Sequence, residues 1–502
     1  MKLKLPHSSQ NWISLIGATI AIICLFMIIF LIAITAFLAR QAAYLGLVTY
    51  ILLPAVMVMG LLLIPIGMII KNRRERRAKV HGEAGWPQVD LNDPRHRNAF
   101  FIFAIGTTIF LFLSAFGSYE AFHFTESVQF CGTLCHSVMD PEYIAHANSP
   151  HAKVACVACH VGPGADWYVR SKLSGLYQVY ATLANVYPRP IPTPIKDLRP
   201  ARAVCEQCHW PQKFYAYSVQ YQTHFLADEN NTRWNIRLIM KVGSEHPAMG
   251  LIEGIHWHIS PFVKVEYIAT DKAREDIAWV KYTNLETGEE SIFEDENNPL
   301  DKAQLDTLER RTMDCIDCHN RPSHLYNAPS LFVNTEMTAG NIPPELPDIK
   351  TVTMDLCSDT YPSMDSAMIH IREYIQDYYQ KNYPDIYNNN RPLVEKAITG
   401  FQSVFSKNIF PNMKVRWSAY PNHIGHLEFK GCFRCHDGMH KTEQGETISR
   451  DCSLCHLINA QGTPGNMERT DVNKALEFKH PVDIDQAWKE SLCTDCHTGL
   501  NP

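Results

Sequence analysis

The chain has 502 residues, of which 46% are hydrophobic, and its formal net charge at pH 7 is −6. It has 46 basic and 52 acidic residues. Residues 1–97 contain 11 of the basic and 4 of the acidic residues, so residues 98–502 contain 35 basic and 48 acidic residues. Such an acidic remainder repels phosphate backbones, so nucleic-acid binding is excluded as the main function. An acidic surface attracts basic protein partners, and the alternative is that it only keeps the protein soluble.

Three long runs without charge mark the N-terminal part of the chain. They cover residues 13–39, 41–70 and 98–119. A helix of about 20 apolar residues crosses a bilayer, and the core of a signal peptide is much shorter, so each run can span the membrane and remain as an anchor. We predict three transmembrane helices, at about 13–39, 44–70 and 98–119, within a membrane anchor formed by residues 1–122.

Basic residues between the second and third runs predict the orientation. Only Arg40 marks the first turn, whereas the loop 71–97 contains Lys71, Arg73, Arg74, Arg76, Arg77, Lys79, Arg95 and Arg97. Loops rich in Lys and Arg stay in the cytoplasm, so this loop and the N-terminus are predicted to be cytoplasmic. The third helix then delivers the rest of the chain to the other side of the membrane.

Seven cysteine pairs in the outer part are each followed directly by a histidine. Six pairs enclose two residues, and the first encloses three. The motifs are Cys131/Cys135/His136, Cys156/Cys159/His160, Cys205/Cys208/His209, Cys315/Cys318/His319, Cys432/Cys435/His436, Cys452/Cys455/His456 and Cys493/Cys496/His497.

This spacing is the signature of covalently attached c-type haem. Two cysteines form thioether bonds to the porphyrin, and the adjacent histidine reaches the iron from the same turn. Zinc clusters and redox-active cysteine pairs are the alternatives, but neither requires a histidine after every pair. We predict seven c-type haems, one for each of the seven motifs. The two remaining cysteines, Cys24 and Cys357, are expected to be small buried residues.

Haem attachment gives an independent indication of orientation. Bacteria attach haem to cytochromes c on the periplasmic side, which is the side to which the basic loop assigns the motifs. We therefore predict a protein of the bacterial inner membrane with a cytoplasmic N-terminus and a periplasmic haem domain.

The outer part is predicted to be mainly helical and irregular, wrapped around haems, with a small β insertion. We expect a haem module with the first three motifs at 123–230, the insertion at 231–300 and a C-terminal module with the last four motifs at 301–502. Strand-like segments at 234–240 and 262–268 favour the insertion. Helices are expected at 301–313 and 368–379, and a proline-rich linker at 188–200. The fold class is a membrane-anchored multihaem cytochrome c.

Each haem needs a sixth ligand unless a substrate binds there, and histidines outside the motifs are the candidates. On a strand, His256 and His258 would face the same side, so that one reaches iron while the other bonds a propionate. Any single candidate could instead be a hydrogen-bonded surface residue. The candidates are His151, His224, His256, His258, His324, His423, His426, His440 and His480.

Residues 98–225 resemble a known family. The carrying segments are FCGTLCHSVM from Phe130, SPH ending at His151, CVACHV from Cys156 and CEQCHWPQKF from Cys205. They resemble the quinol-oxidising membrane cytochromes of the NapC/NirT family, and the whole chain is similar to the heptahaem inner-membrane cytochromes of metal-reducing bacteria. The resemblance implies oxidation of menaquinol at the haem nearest the membrane and transfer of electrons to periplasmic carriers.

Two departures from the family pattern concern the first haem and the quinol site. The family has a methionine ligand two residues after the first motif histidine, whereas here the motif is widened and Met139 lies three residues after His136. Met139, His136 or an open position therefore remain as alternatives. Lys172 matches the lysine that the family places near quinol, but Val179 stands where the family has an acid.

Quinol oxidation releases protons, so the site needs acceptors close to the first haem. The third helix ends at Tyr119 and Glu120, a dozen residues before the first motif, which predicts that this haem lies at the interface. We nominate Lys172, with Asp166, Glu142 and Glu120 as carboxylates whose pKa burial would raise. A snorkelling lysine and solvated acids are the alternatives.

The sequence thus predicts a menaquinol dehydrogenase that passes electrons through its haems to periplasmic cytochromes or reductases. Its expected partners are the quinol pool, the bilayer, those carriers, and a second copy or another membrane subunit. One alternative is a multihaem reductase of a small nitrogen oxyanion, although such enzymes often replace the motif histidine by lysine, which no motif here does. The other alternative is a membrane-tethered electron wire that does not oxidise quinol.

Overall fold

The computed structural model describes residues 9–38, 49, 52–78, 90–133, 136–162, 165–195, 199–243, 254–472 and 474–500. The chain forms two compact units. The first contains Met1–Met139 and Ala155–Val157, and the second contains Asp140–Val154 and Ala158–Pro502.

Three helices in the described residues are long and apolar enough to cross a membrane, which confirms the predicted anchor. They are α1 (Trp12–Leu38), α2 (Leu53–Ala78) and α3 (Pro94–Thr125). Of the span predicted at 44–70, residues 44–48 lie outside the described part. Helix α3 begins before its apolar run because Asp93 caps it, accepting a hydrogen bond of 2.7 Å from the Arg95 backbone, with Pro94 in the first turn.

Helices α1 and α2 pack closely through glycines. A Cβ atom added to Gly17 would lie 2.5 Å from the Gly60 carbonyl oxygen, and one added to Gly67 would lie 2.6 Å from Ser14 Oγ. Ser14 Oγ also donates a hydrogen bond of 2.8 Å to the Ile64 carbonyl. Small residues let apolar helices approach in this way, because lipid offers no hydrophobic force between them. Cys24 is buried in this contact, as expected.

Five short or medium helices follow and contain the first three motifs. They are α4 (Val128–Thr133), α5 (His136–Ala147), α6 (Cys156–His160), α7 (Ala165–Leu183) and α8 (Ala201–Cys205). Of the first motif, Cys135 and the side chain of His136 lie outside the described residues.

The β structure is larger than a single insertion and forms two sheets. One sheet has the order β1–β2–β8–β9, with β1 at Tyr217–Phe225, β2 at Arg233–Lys241, β8 at His456–Thr463 and β9 at Asn466–Arg469. The other has the order β6–β3–β4–β5–β7, with β3 at Val263–Ala269, β4 at Ile277–Asn284, β5 at Glu290–Asp295, β6 at Arg311–Thr312 and β7 at His440–Lys441. Strands β6, just before the fourth motif, β7, after the fifth, and β8, which begins at His456 of the sixth, therefore pair with strands of the predicted insertion.

The helix expected at 301–313 is shorter. Helix α9 covers Lys302–Thr307, begun by a capping box in which Asp301 and Gln304 exchange hydrogen bonds. It ends there because Arg311 and Thr312 pair with Tyr267 and Glu266 of β3. Helix α10 (Cys315–Cys318) then carries the fourth motif.

Residues 329–408 form a helical core that contains no haem motif. Its helices are α11 (Pro329–Thr338), α12 (Ile349–Ser358), α13 (Met364–Asn382), α14 (Pro384–Asn389) and α15 (Arg391–Asn408). Helix α13 contains the helix expected at 368–379. Ile371, Ile375 and Tyr379 recur every fourth residue along it and are fully buried, as is Phe401 on α15.

Candidate haem-binding site

Six of the seven motif histidines each lie beside one histidine from outside the motifs. The ring centroids are 6.1 Å apart for His160 and His324, 5.9 Å for His209 and His151, 6.3 Å for His319 and His256, 5.9 Å for His436 and His258, 6.1 Å for His456 and His426, and 6.0 Å for His497 and His480.

These spacings fit one iron between each pair. A metal–imidazole bond is about 2 Å long and the ring centre lies about 1 Å beyond the nitrogen, so two imidazoles on one iron have centroids about 6 Å apart. His146 also lies 6.4 Å from His324, but its Nε2 is 2.9 Å from the Val154 carbonyl oxygen. The residues present therefore suit axial ligation by two histidines at six motifs.

In several pairs, the second nitrogen of the non-motif ring is held by the protein. Nδ1 lies 3.1 Å from the Pro322 carbonyl oxygen in His151, 2.9 Å from that of Val242 in His256, 2.8 Å from that of Ile255 in His258 and 2.8 Å from that of Val482 in His480. Such contacts fix the tautomer and leave Nε2 available to a metal.

Burial favours the neutral form of four of the paired histidines, which is the form that binds iron. Burial lowers the pKa of His324 and of His456 to about 4. It also lowers the pKa of His256 and His426. A neutral imidazole retains the lone pair needed for coordination at neutral pH.

Three predicted candidates do not lie beside a motif histidine at this spacing. His440 is fully buried, with Nδ1 3.0 Å from Asp437 and Nε2 2.9 Å from the Ile277 carbonyl. His423 Nδ1 lies 3.0 Å from the Asp317 carbonyl, and its Nε2 lies 3.0 Å from Glu275. His224 Nδ1 lies 3.4 Å from the amide nitrogen of Asn334. Both ring nitrogens of His423 and His440 are thus used in the protein scaffold, whereas the described contact of His224 is at Nδ1, and its ring is close enough to His497 for their charges to interact.

His256 and His258 lie in a 3₁₀ helix, Ile255–Ile259, not on a strand. A 3₁₀ helix turns about 120° per residue, so residues two apart point to different sides. His256 accordingly meets His319 while His258 meets His436. The short helix therefore contacts two neighbouring motifs.

A single turn holds the cysteines and histidine of several motifs, whereas His456 of the sixth motif begins strand β8. The backbone N–H of His319 donates to the Cys315 carbonyl at 2.8 Å, and His209 and His497 repeat this bond to Cys205 and Cys493 at the same distance. In the fourth motif, Asp317 is 1% exposed and binds Arg311 at 2.6 Å. Asp317 also accepts bonds from Arg274 and Tyr267, at 3.1 and 2.8 Å, and sequence reasoning missed this support.

The seven motifs have similar sequences, but the surroundings of their second cysteines differ in the structure. Burial raises the pKa of Cys318 to about 11 and that of Cys435 to about 12. Cys208 and Cys496, in contrast, are exposed, and Cys159 is half-buried. Within the described part of the chain, none of these five thiols forms a disulfide. Haem attachment at all the motif cysteines rests on the motif spacing and stays a prediction.

Successive motifs are spatial neighbours. The thiols of Cys205 and Cys315 are within hydrogen-bonding reach, and α8 packs against α10. Cys318 lies close enough to Cys432 for their charges to interact. The same holds for Cys455 with Cys432 and for Cys493 with Cys452. The third to seventh motifs thus follow one another in space as in sequence.

The predicted proton acceptors have different surroundings. Glu142 Oε2 lies 3.2 Å from His324 Nδ1 and 3.6 Å from Arg321 Nη2, and burial raises its pKa although Arg321 opposes the shift. The Lys172 ammonium lies 5.0 Å from the ring centroid of Tyr168. Glu120 lies in the last part of α3 and Met139 in α5. The side chain of Asp166 is outside the described residues.

The membrane helices and the cysteine–histidine motifs together define a membrane-anchored c-type cytochrome. Residues 94–190 match the model of the "NapC/NirT cytochrome c family, N-terminal region". The chain is also 43% identical over 489 residues to "Cytochrome c-type protein ImcH" of Geobacter sulfurreducens, in an alignment that covers 97% of this chain and 95% of that protein. No solved structure matches the chain.

The chain belongs to the NapC/NirT cytochrome c family, as the resemblance predicted. It is an electron-transfer protein with membrane-spanning helices, and its family binds c-type haem covalently. The predicted fold class is also confirmed, with three membrane helices followed by a largely helical and irregular part with small sheets.

Proposed function

We propose that the chain is an inner-membrane menaquinol dehydrogenase that passes electrons through seven c-type haems to periplasmic cytochromes or terminal reductases. Bound haem supplies one-electron redox chemistry at its iron. The observation that carries the proposal is the six histidine pairs with ring centroids 5.9–6.3 Å apart. Family membership supports the link to quinol.

In this proposal the fourteen motif cysteines attach the haems, and these cysteines include the exposed Cys208 and Cys496 and the half-buried Cys159. The six histidine pairs bind the haem irons. The second axial ligands are His151, His256, His258, His324, His426 and His480. His423 and His440 are assigned to the scaffold, because both of their ring nitrogens contact protein groups, whereas His224 stays a candidate near the seventh motif. At the first motif, His136 and Met139 remain the candidate ligands.

Electron carriers arranged in sequence order would suit directional transfer. The contacts from the third to the seventh motif favour a route that leaves near the C-terminal motifs. The first motif follows the third membrane helix directly, so we propose that electrons enter there.

For proton acceptance we propose Lys172, assisted by Asp166 and Glu120. Glu142 was nominated with them, and its carboxylate, whose pKa burial raises, is kept as a candidate acceptor. Nδ1 of His324 also lies 3.2 Å from the backbone carbonyl oxygen of Glu142, a contact that orients a ligating imidazole, so we propose that the main chain of Glu142 positions His324.

The paired histidines also weigh against a reductase of nitrogen oxyanions. Such an enzyme needs an iron with an open position for its substrate, and six motifs already have two histidines each. Only the first motif would then offer an open position.

Reduction of the purified, haem-loaded protein by a soluble menaquinol analogue tests the proposal. We expect rapid haem reduction that a quinone-site inhibitor blocks, and a slowing of about tenfold or more in Lys172→Met, since general bases contribute about 10²–10⁴-fold. Normal reduction by dithionite would show that the variant retains its haems. Absence of quinol-dependent reduction would favour the tethered wire, and turnover of nitrite with an artificial donor would favour the reductase.

A further inference from the structure

Helix α7 exposes an apolar stripe that the fold does not cover. Leu173, Leu176 and Leu183 are 64%, 69% and 83% exposed. Val169 and Tyr180 on the same helix are 55% and 61% exposed. Large apolar side chains that are exposed singly need no explanation, but a contiguous row of them marks an interaction surface.

These residues lie on one side of the helix. Positions 169, 173, 176, 180 and 183 follow the three- and four-residue spacing that lines up along a helix. The row spans fourteen residue steps, or about 21 Å at 1.5 Å per residue. Ala181, on another side of the helix, is 6% exposed, whereas Tyr177 and Val179, which flank the row, are 66% and 41% exposed.

This pattern is the reverse of the other long helices in the same unit. Helix α13 buries Ile371 and Ile375, and α15 buries Phe401 and Phe405, completely. Helix α7 contains neither cysteine nor histidine and therefore supplies no haem attachment or axial ligand.

Aromatic and basic residues flank the row. The Arg170 guanidinium lies 5.3 Å from the ring centroid of Trp167, and the Lys172 ammonium lies 5.0 Å from that of Tyr168. Tyrosine, tryptophan and snorkelling Lys and Arg side chains are enriched where a protein contacts the lipid headgroups. The Lys and Arg side chains also attract anionic lipids. Two cations beside this row stand out in an outer region with 48 acidic and 35 basic residues.

We propose that α7 is an interfacial helix that lies in the plane of the membrane surface, with its apolar row among the upper acyl chains and its cations at anionic headgroups. A helix with this composition lies on a bilayer instead of spanning it. The membrane helices of the same chain keep α7 at a high effective concentration near lipid, so weak intrinsic binding suffices. If the row bound a second protein chain instead of lipid, the apolar residues would be needed but the flanking cations would not.

Site-specific photocrosslinking in proteoliposomes of phosphatidylglycerol and phosphatidylcholine tests this proposal. Benzoylphenylalanine replaces Leu173, Leu176 or, as a matched control, the exposed Gln178 on the opposite side of α7. The full-length, haem-loaded, oxidised protein is irradiated without quinol, and adducts are identified by mass spectrometry. We expect at least about fivefold more lipid adduct at 173 and 176 than at 178, because only one face enters the lipid.

Two results would overturn the proposal. Equal lipid adduct at all three positions would mean that the row has no preferred contact with lipid, and crosslinks between two copies of the chain would mean that the row is a protein interface. Unchanged haem absorbance checks that each variant is folded. Since no quinol is present, the outcome is independent of whether the protein oxidises menaquinol.

Discussion

Whether a histidine of this protein can bind iron depends on which of its ring nitrogens already contact other protein groups. His426 lies 6.1 Å from the motif residue His456, and its buried Nδ1 has no hydrogen-bond partner among the residues that the structure covers. His440 is fully buried, and both its nitrogens lie within 3.0 Å of protein oxygens. The same residue type is therefore proposed as a ligand in one place and as a structural group in another.

This difference predicts contrasting spectra for two substitutions. In His426→Ala the sixth iron loses one axial ligand, so electron paramagnetic resonance of the oxidised protein should gain one high-spin signal per molecule. In the control His440→Gln no iron ligand changes, and the low-spin spectrum should be retained. A high-spin signal in the control, or none in His426→Ala, would contradict the proposed ligand assignment.

At the level of elements, local patterns predicted more than long-range pairing did. The charge-free runs identified the three membrane helices because desolvation of a charge in lipid is costly wherever the helix packs. The cysteine–histidine motifs were equally readable because the residues of each motif are close neighbours in the sequence.

Long-range pairing was hidden from the sequence. His324 follows His319 closely in the chain but lies beside His160, and β8 after the sixth motif pairs with β2. The helical core at 329–408 was also missed apart from one helix, because its buried helical residues come from four helices whose packing no local pattern specifies.

The α1–α2 contact makes a prediction about the anchor. A Cβ atom on Gly60 would lie 2.8 Å from the Gly17 carbonyl oxygen and 3.1 Å from the Ala21 nitrogen, so Gly60→Val must separate the helices. Overpacking of this kind costs about 1–3 kcal/mol. We expect a lower thermal midpoint for the detergent-solubilised protein.

Gly106→Val in α3 is the matched control, because a Cβ atom there meets nothing within 4 Å. Its thermal midpoint should equal that of the parent protein. If Gly60→Val is as stable as this control, the close glycine contact does not hold the two helices together.

At the scale of the whole molecule, the distribution of basic residues and the compartment of haem attachment both favour the same membrane topology. The loop 71–97 contains eight basic residues, whereas Arg40 is the one basic residue marking the turn between the first two runs. The seven motifs all follow the third membrane helix, and the haem-attachment machinery works outside the cytoplasm. Both requirements are satisfied if the N-terminus is cytoplasmic and the outer region is periplasmic.

Reporters on the full-length chain can test this topology. Alkaline phosphatase folds only in the periplasm and green fluorescent protein fluoresces there poorly, so a C-terminal phosphatase should be active and an N-terminal fluorescent protein bright. Replacing Arg73, Arg74, Arg76 and Arg77 with Gln should reduce the C-terminal phosphatase activity, because these residues retain the loop in the cytoplasm. An active phosphatase at the N-terminus would contradict the predicted orientation. If the arginine variant kept full activity, the haem motifs would have to reach the periplasm by a route independent of loop charge.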